Sequence, residues 1–178
     1  SLALFTVAAT TATTGLCAQT VLKASHQFPG GKGDPRDEMV QILAREVKAA
    51  NVGLDIQVFP GASLFKPKEQ WGALTKGQLD FALFPLDYAA GRHPQFSATL
   101  MPGLVGNHDR AMRLNGSAFM ADIKKVIEGA GAIVIADSWL SGAFASKKGC
   151  ITTPDTVKGQ VIRAAGPAFE QMLAAAGA

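Results

Sequence analysis

The run Thr153-Pro154-Asp155-Thr156-Val157-Lys158-Gly159-Gln160-Val161-Ile162-Arg163 carries a turn into a short apolar stretch that ends in a guanidinium. The planar fork of an arginine matches a carboxylate through two parallel hydrogen bonds, a geometry that lysine does not reproduce. Arg163 therefore either pairs with a carboxylate of its own fold or offers its fork to a bound acid. An arginine on a strand is more commonly solvated or structurally paired, and spacing alone leaves both roles open.

The other side chains capable of chemistry form no recognisable constellation. His26, His93 and His108 share no metal-ligand spacing and no cysteine accompanies them, which argues against zinc. Ser141-Gly142 is not flanked as a nucleophile elbow. Asp55, Glu69, Asp80 and Asp87 are carboxylates that nothing in the sequence pairs for acid–base work. Gly30-Gly31-Lys32-Gly33-Asp34 has the composition of a phosphate loop without its glycine spacing or the hydroxyl residue after the lysine. Gly129-Ala130-Gly131 lies between a helix and a strand, the reverse of the dinucleotide order, and reads as a helix stop. No enzyme, metal or cofactor signature emerges. Trp139, Phe81 and Phe84 are residue types more often found in a core than in a ligand cage.

These residues need elements to hold them. Residues 20–25 read as a first strand, followed by a glycine-rich turn at 29–33. Asp34 and Pro35 open a helix as N-cap and first helical residue, with Met39, Ile42, Leu43 and Val47 on its buried face and Asn51-Val52-Gly53 at its end. Residues 54–59 alternate as a half-buried strand. A second helix is expected from Pro67 through Trp71 and Leu74 to Gly77, and a third strand over 79–84. Strand, helix, strand, helix, strand with short connections implies a parallel sheet covered by helices, an α/β fold. A loop over 85–107 precedes one helix over 109–129, with Phe119, Ile123, Val126 and Ile127 on one face. A buried strand is expected at 132–136, another ending at Arg163, and a last helix from Pro167 to Ala178.

The 178-residue chain is 48% apolar and 17% charged, which places it among globular proteins and far from disorder. Its net charge of +3 comes from scattered lysines and arginines, with Lys147-Lys148 the one basic doublet, too little for a nucleic-acid or membrane-surface patch. Residues 1–18 carry no charge and run from an apolar stretch to Leu16-Cys17-Ala18, the pattern of a secretory signal peptide cleaved after Ala18. Leu16 before Cys17 does not suit a lipid anchor. Cys150 is then alone in the mature chain, so no internal disulfide is expected. No other stretch approaches the ~20 apolar residues of a membrane span. The absence of a basic start and of an initiator methionine reads as an N-terminal truncation. An end at Ala178, where a helix-to-strand turn is due, reads as another.

Four segments in order are similar to the substrate-binding proteins of TRAP (tripartite ATP-independent periplasmic) transporters, of the DctP type: an exported start, Phe59-Pro60-Gly61-Ala62-Ser63-Leu64, Leu74-Thr75-Lys76-Gly77-Gln78-Leu79-Asp80, and the run from Thr153 to Arg163. The similarity extends from about Val21 to Ala178. It implies a two-lobed, type II-like periplasmic binding protein that holds an organic acid in its cleft. Such a receptor delivers the acid to small and large membrane subunits driven by an ion gradient, without catalysis, cofactor or nucleic-acid partner.

The resemblance assigns residues 1–18 to a partial signal peptide, 19–138 to the first lobe and 139–178 to the start of an incomplete second lobe. Alone, such a piece is expected to bind weakly or fold incompletely, since closure of two lobes is what traps the ligand. The resemblance also makes Arg163 the clamp for the ligand carboxylate. Phe84, Pro85, Leu86 and Asp87 then line the first-lobe side, with Trp139, the Ser141-Gly142-Ala143 turn and Gly166 opposite. Some members carry a second arginine at the position of Ala143; this chain does not, so no second clamp is implied. Pro85 and Leu86 give an apolar rim that favours a monocarboxylate with an apolar body. Lys66, Lys68 and His26 are expected as surface residues near the opening. Competing readings are a tricarboxylate-transporter-type or sensor-linked receptor, and a periplasmic enzyme on an α/β scaffold.

Overall fold

The computed structural model describes residues 19–31, 33–147 and 149–178; residues 1–18, expected to be a signal peptide, lie outside the described residues. Three parallel strands form the sheet: β1 (Thr20–His26), β2 (Leu54–Phe59) and β3 (Phe81–Leu83), in the order β2-β1-β3. β1 pairs with β2 from Thr20 opposite Leu54 to Ser25 opposite Phe59, and with β3 from Ala24 opposite Phe81 to His26 opposite Leu83. The expected parallel sheet is therefore present, with its third strand shortened to three residues. Leu79, outside the ladder, is nevertheless buried.

Helix α1 (Pro35–Ala50) links β1 to β2 and begins as its sequence dictates. Asp34 caps it by accepting from the Arg36 amide at 3.0 Å, Pro35 occupies the first turn, and Asn51 ends it in the left-handed region at φ 49°. The Arg36 side chain folds back on Asp34 with Nε 2.8 Å from Oδ1 and Nη2 2.5 Å from Oδ2. That bond, with the Arg36 amide and charge, outweighs desolvation and holds the Asp34 carboxyl down to about 2. The expected buried face needs correction: Met39 and Ile42 are exposed. The half-buried stripe is Val40, Leu43, Ala44 and Val47, an i, i+3, i+4, i+7 set that places Met39 and Ile42 at its margins.

Helix α2 (Gln70–Thr75) starts later than Pro67. The Lys66 carbonyl accepts from the Glu69 amide at 2.9 Å, and Glu69 Oε2 accepts from the Lys66 amide at 3.1 Å. These bonds close a separate turn ahead of the helix. The stretch after β3 is not a plain loop: it contains 3-10 turns at Leu86–Ala89 and Pro94–Leu100.

The single helix expected over 109–129 is two, α3 (His108–Asn115) and α4 (Ala118–Gly129). Ser117 ends one by donating to the Leu114 carbonyl at 2.6 Å and caps the other by accepting from the Met120 amide at 3.3 Å. A serine hydroxyl competing for backbone groups in this way favours a boundary over a helix interior. Ile123 and Ile127 of α4 then join Trp71, Ala89 and Phe96 in the main core, with Phe119 and Val126 packed against it.

Two expected strands do not form ladders. Residues 132–136 join no strand, with Ala132 and Val134 against the core while Ile133 and Ile135 are exposed. The alternation of a half-buried strand is there, but no described strand lies alongside to exchange hydrogen bonds. The segment leading to Arg163 likewise joins no strand, with Val161 fully exposed and Arg163 exposed. Arg163 therefore does not end a buried strand. Before it, Pro154–Val157 forms a 3-10 turn, and after it α5 (Pro167–Ala175) stops short of Ala178. The Ala178 amide turns back to the Leu173 carbonyl at 3.0 Å, and Gly177 offers its carbonyl to the Gly159 amide at 2.8 Å.

Candidate functional site

The strand order fixes where a ligand can enter. From β1 the chain passes through α1 to β2 on one side, then through α2 across to β3 on the other. Such a reversal opens a crevice beyond the carboxyl ends of the strands, between β1 and β3. Ser25, His26 and Gln27 stand at the end of β1, and Phe84 to Tyr88 follow β3.

This end of the sheet is rich in buried polar groups. His26 is fully buried, not a surface residue near an opening. Its Nε2 lies 3.0 Å from Asp37 Oδ1, which also accepts from Gln41 at 3.2 Å, while Asp37 Oδ2 accepts from the Gly31 amide at 3.1 Å. Burial pushes the Asp37 carboxyl up, but the Gly31 amide, the Gln41 amide and His26 together bring it below its usual value. Above this pair the loop after β2 folds onto the end of β1: the Gly61 amide donates to the Phe28 carbonyl at 2.8 Å and the Ala62 amide to the His26 carbonyl at 2.9 Å. Gly30 packs so closely on Pro60 that a Cβ there would lie 2.5 Å from the proline ring.

Ser25 Oγ, His26 Nδ1, Gln27 Oε1, both side-chain polar atoms of Gln70, and Asp87 Oδ2 have no hydrogen-bond partner among the described residues. Buried polar atoms in native proteins are nearly always paired. They lie at the carboxyl end of β1, the start of α2 and the turn after β3. Sequence reading missed Ser25, Gln27 and Gln70. The available signal was a run of polar residues closing a strand whose other end feeds a parallel sheet.

The expected site residues divide between this region and others. Arg163 Nη2 donates to Tyr88 Oη, with the guanidinium carbon 5.9 Å from the centre of the tyrosine ring. Among the described residues no carboxylate pairs with Arg163. Gly166, at the start of α5, is buried against Asp87: a Cβ built on it would fall 1.2 Å from Asp87 Oδ2. Asp87 Oδ1 accepts from Ser97 Oγ at 2.7 Å. Pro85 is half-buried in the same turn.

Phe84 and Leu86 pack against the main core, Phe84 with its ring 5.9 Å from that of Trp71. Trp139 donates from Nε1 to Asn115 Oδ1 at 2.6 Å, which ties it to the end of α3. Ala143 is exposed, although its neighbour Phe144 meets Phe169 of α5 with ring centres 6.3 Å apart. Lys66 and Lys68 are exposed, and Lys68 shares with Trp71, Tyr88 and Arg92 a small depression of about 60 Å³. His93 stacks edge-on to Trp71 at 5.3 Å, a packing role.

Residues 29–178 match the family of bacterial extracellular solute-binding proteins, family 7 (DctP). The chain belongs to this family. A solute-binding protein of Albidiferax ferrireducens is 37% identical over 161 residues, which is 88% of this chain and 48% of that protein. The structure of a TRAP periplasmic solute-binding protein from Rhodoferax ferrireducens with bound malonate superposes with a TM-score of 0.83 at 37% identity, covering 88% of this chain and 51% of the other. A TRAP protein from Sulfurospirillum deleyianum with bound succinate shares the fold at 20% identity, with a TM-score of 0.76 over 90% of this chain and 52% of its own. This DctP chain thus spans about half the length of the relatives it matches.

Proposed function

We propose that this DctP-family chain supplies the ligand-facing part of a periplasmic receptor that captures an organic acid by its carboxylate and hands it to the membrane subunits of a TRAP transporter. On this reading, residues 19–138 belong to the first lobe, 139–178 begin the second, and 1–18 are an export signal. The observation that carries it is the state of Arg163. Among the described residues its fork is bonded to the Tyr88 hydroxyl and to no carboxylate, beside the crevice end of the sheet, and keeps donors for an acid from outside. The malonate bound by the Rhodoferax relative supports a small carboxylic acid as the ligand class. With Ala143 in place of an arginine, one carboxylate is clamped by the fork and the remainder of the ligand meets weaker contacts.

A thermal-shift screen against malonate, succinate, pyruvate and an aromatic acid tests this. An acid at a hundredfold excess over its Kd stabilises by about 2.7 kcal/mol, a shift of several degrees. Arg163→Lys should abolish the shift, and an undiminished shift in that variant removes Arg163 from the site.

A further inference from the structure

Arg163 is held from one short turn by two neighbouring residues. Tyr88 accepts its Nη2 hydrogen bond and lies under its guanidinium. Asp87, 2% exposed, occupies the space where any side chain at position 166 would stand. The 3-10 turn Leu86–Ala89 thereby fixes the segment at two points: the guanidinium through Tyr88 and the backbone through Gly166. The turn itself is anchored, because Ser97 donates to Asp87 Oδ1 and Ala89 sits in the main core.

We propose that this turn is a latch that preorganises the carboxylate clamp, with Tyr88 as its positioning residue and a second donor to the ligand; this rests on the reading of Arg163 as the clamp. A phenol that accepts from a guanidinium keeps its own O–H to donate. A carboxylate arriving at the fork then meets the remaining N–H groups of Arg163 and the O–H of Tyr88 together. An exposed arginine otherwise loses rotamer freedom on binding, and a side chain ordered beforehand avoids that loss. Asp87 and Gly166 act one step further back, setting the distance between the turn and the segment.

Tyr88 is the only tyrosine in the chain, so a single tyrosine resonance reports on it without background. The protein labelled with [13Cζ]-tyrosine is titrated with malonate and with pyruvate in the native form and as Arg163→Lys and Arg163→Ala, and the Kd of each acid for these forms and for Tyr88→Phe, which carries no tyrosine to observe, is measured by calorimetry. Without ligand, both Arg163 variants should move the Tyr88 resonance; an unmoved resonance overturns the latch whatever the acids do. A binding acid should move the native resonance, and Tyr88→Phe should weaken its binding about ten- to a hundredfold, the effect of one hydrogen bond to a charged group. Binding that Arg163→Lys abolishes but Tyr88→Phe leaves intact sinks the latch and spares the clamp. Binding that survives Arg163→Lys overturns the clamp itself.

Discussion

At position 166 a glycine is required for a reason unrelated to backbone angles: φ is −179°, extended backbone open to any residue. What excludes a side chain is Asp87 Oδ2, 1.2 Å from where Cβ would lie. Gly166→Ala must push apart a buried carboxylate and the start of α5, an overpacking cost of about 1–3 kcal/mol measurable by urea denaturation. Asp37 is the second residue whose chemistry dictates a result. Its carboxyl lies below its ordinary value, so it contributes stability that is complete above about pH 4 and is lost as pH falls through the lower folded-state value. Asp37→Asn should cost about 1.5–3 kcal/mol at neutral pH, the range for hydrogen bonds to a charged group. It should also narrow the difference in Tm between pH 7 and pH 3. A variant with the native pH profile would exclude Asp37 as a source of acid sensitivity. His26 shows why such sites are hard to read from a sequence. A lone histidine closing a strand carries no sign of a carboxylate 11 positions later that folds back onto it.

Among the elements, α1 was legible because its signals are local. Asp34, Pro35 and Asn51 act through their own backbone geometry and need no distant partner. The junction between α3 and α4 was equally local but concealed by helical periodicity running through it. Ser117→Ala should cost about 1 kcal/mol through loss of the α4 cap, seen as a lower urea midpoint at unchanged m. Segments 132–136 and 160–163 mark the opposite limit. Their apolar composition predicts strands, but a strand is completed by its neighbour, and no described strand lies beside them. Amide hydrogen exchange should therefore be fast at Ile133 and Ile135 and slow at Ala24 and Ser25, which are paired on both sides. Slow exchange at Ile133 and Ile135 would show that these segments pair in solution.

For the molecule as a whole, the alternation of strands and helices determined the parallel α/β layers, because each pattern follows from side-chain period and chain connectivity. The runs around Phe59–Leu64, Gly77 and Arg163 were enough to indicate the family. An arginine at position 163 was evident from the start as a possible carboxylate clamp. Only the tertiary structure showed that it stands exposed on an unpaired segment, bonded to Tyr88 across 75 positions of sequence. Only the structure also seated Gly166 on Asp87 and paired His26 with Asp37. Turn, cap and period are properties of neighbouring residues and can be read along the chain. A site is made where the reversal of strand order brings distant segments together, and that proximity is a property of packing.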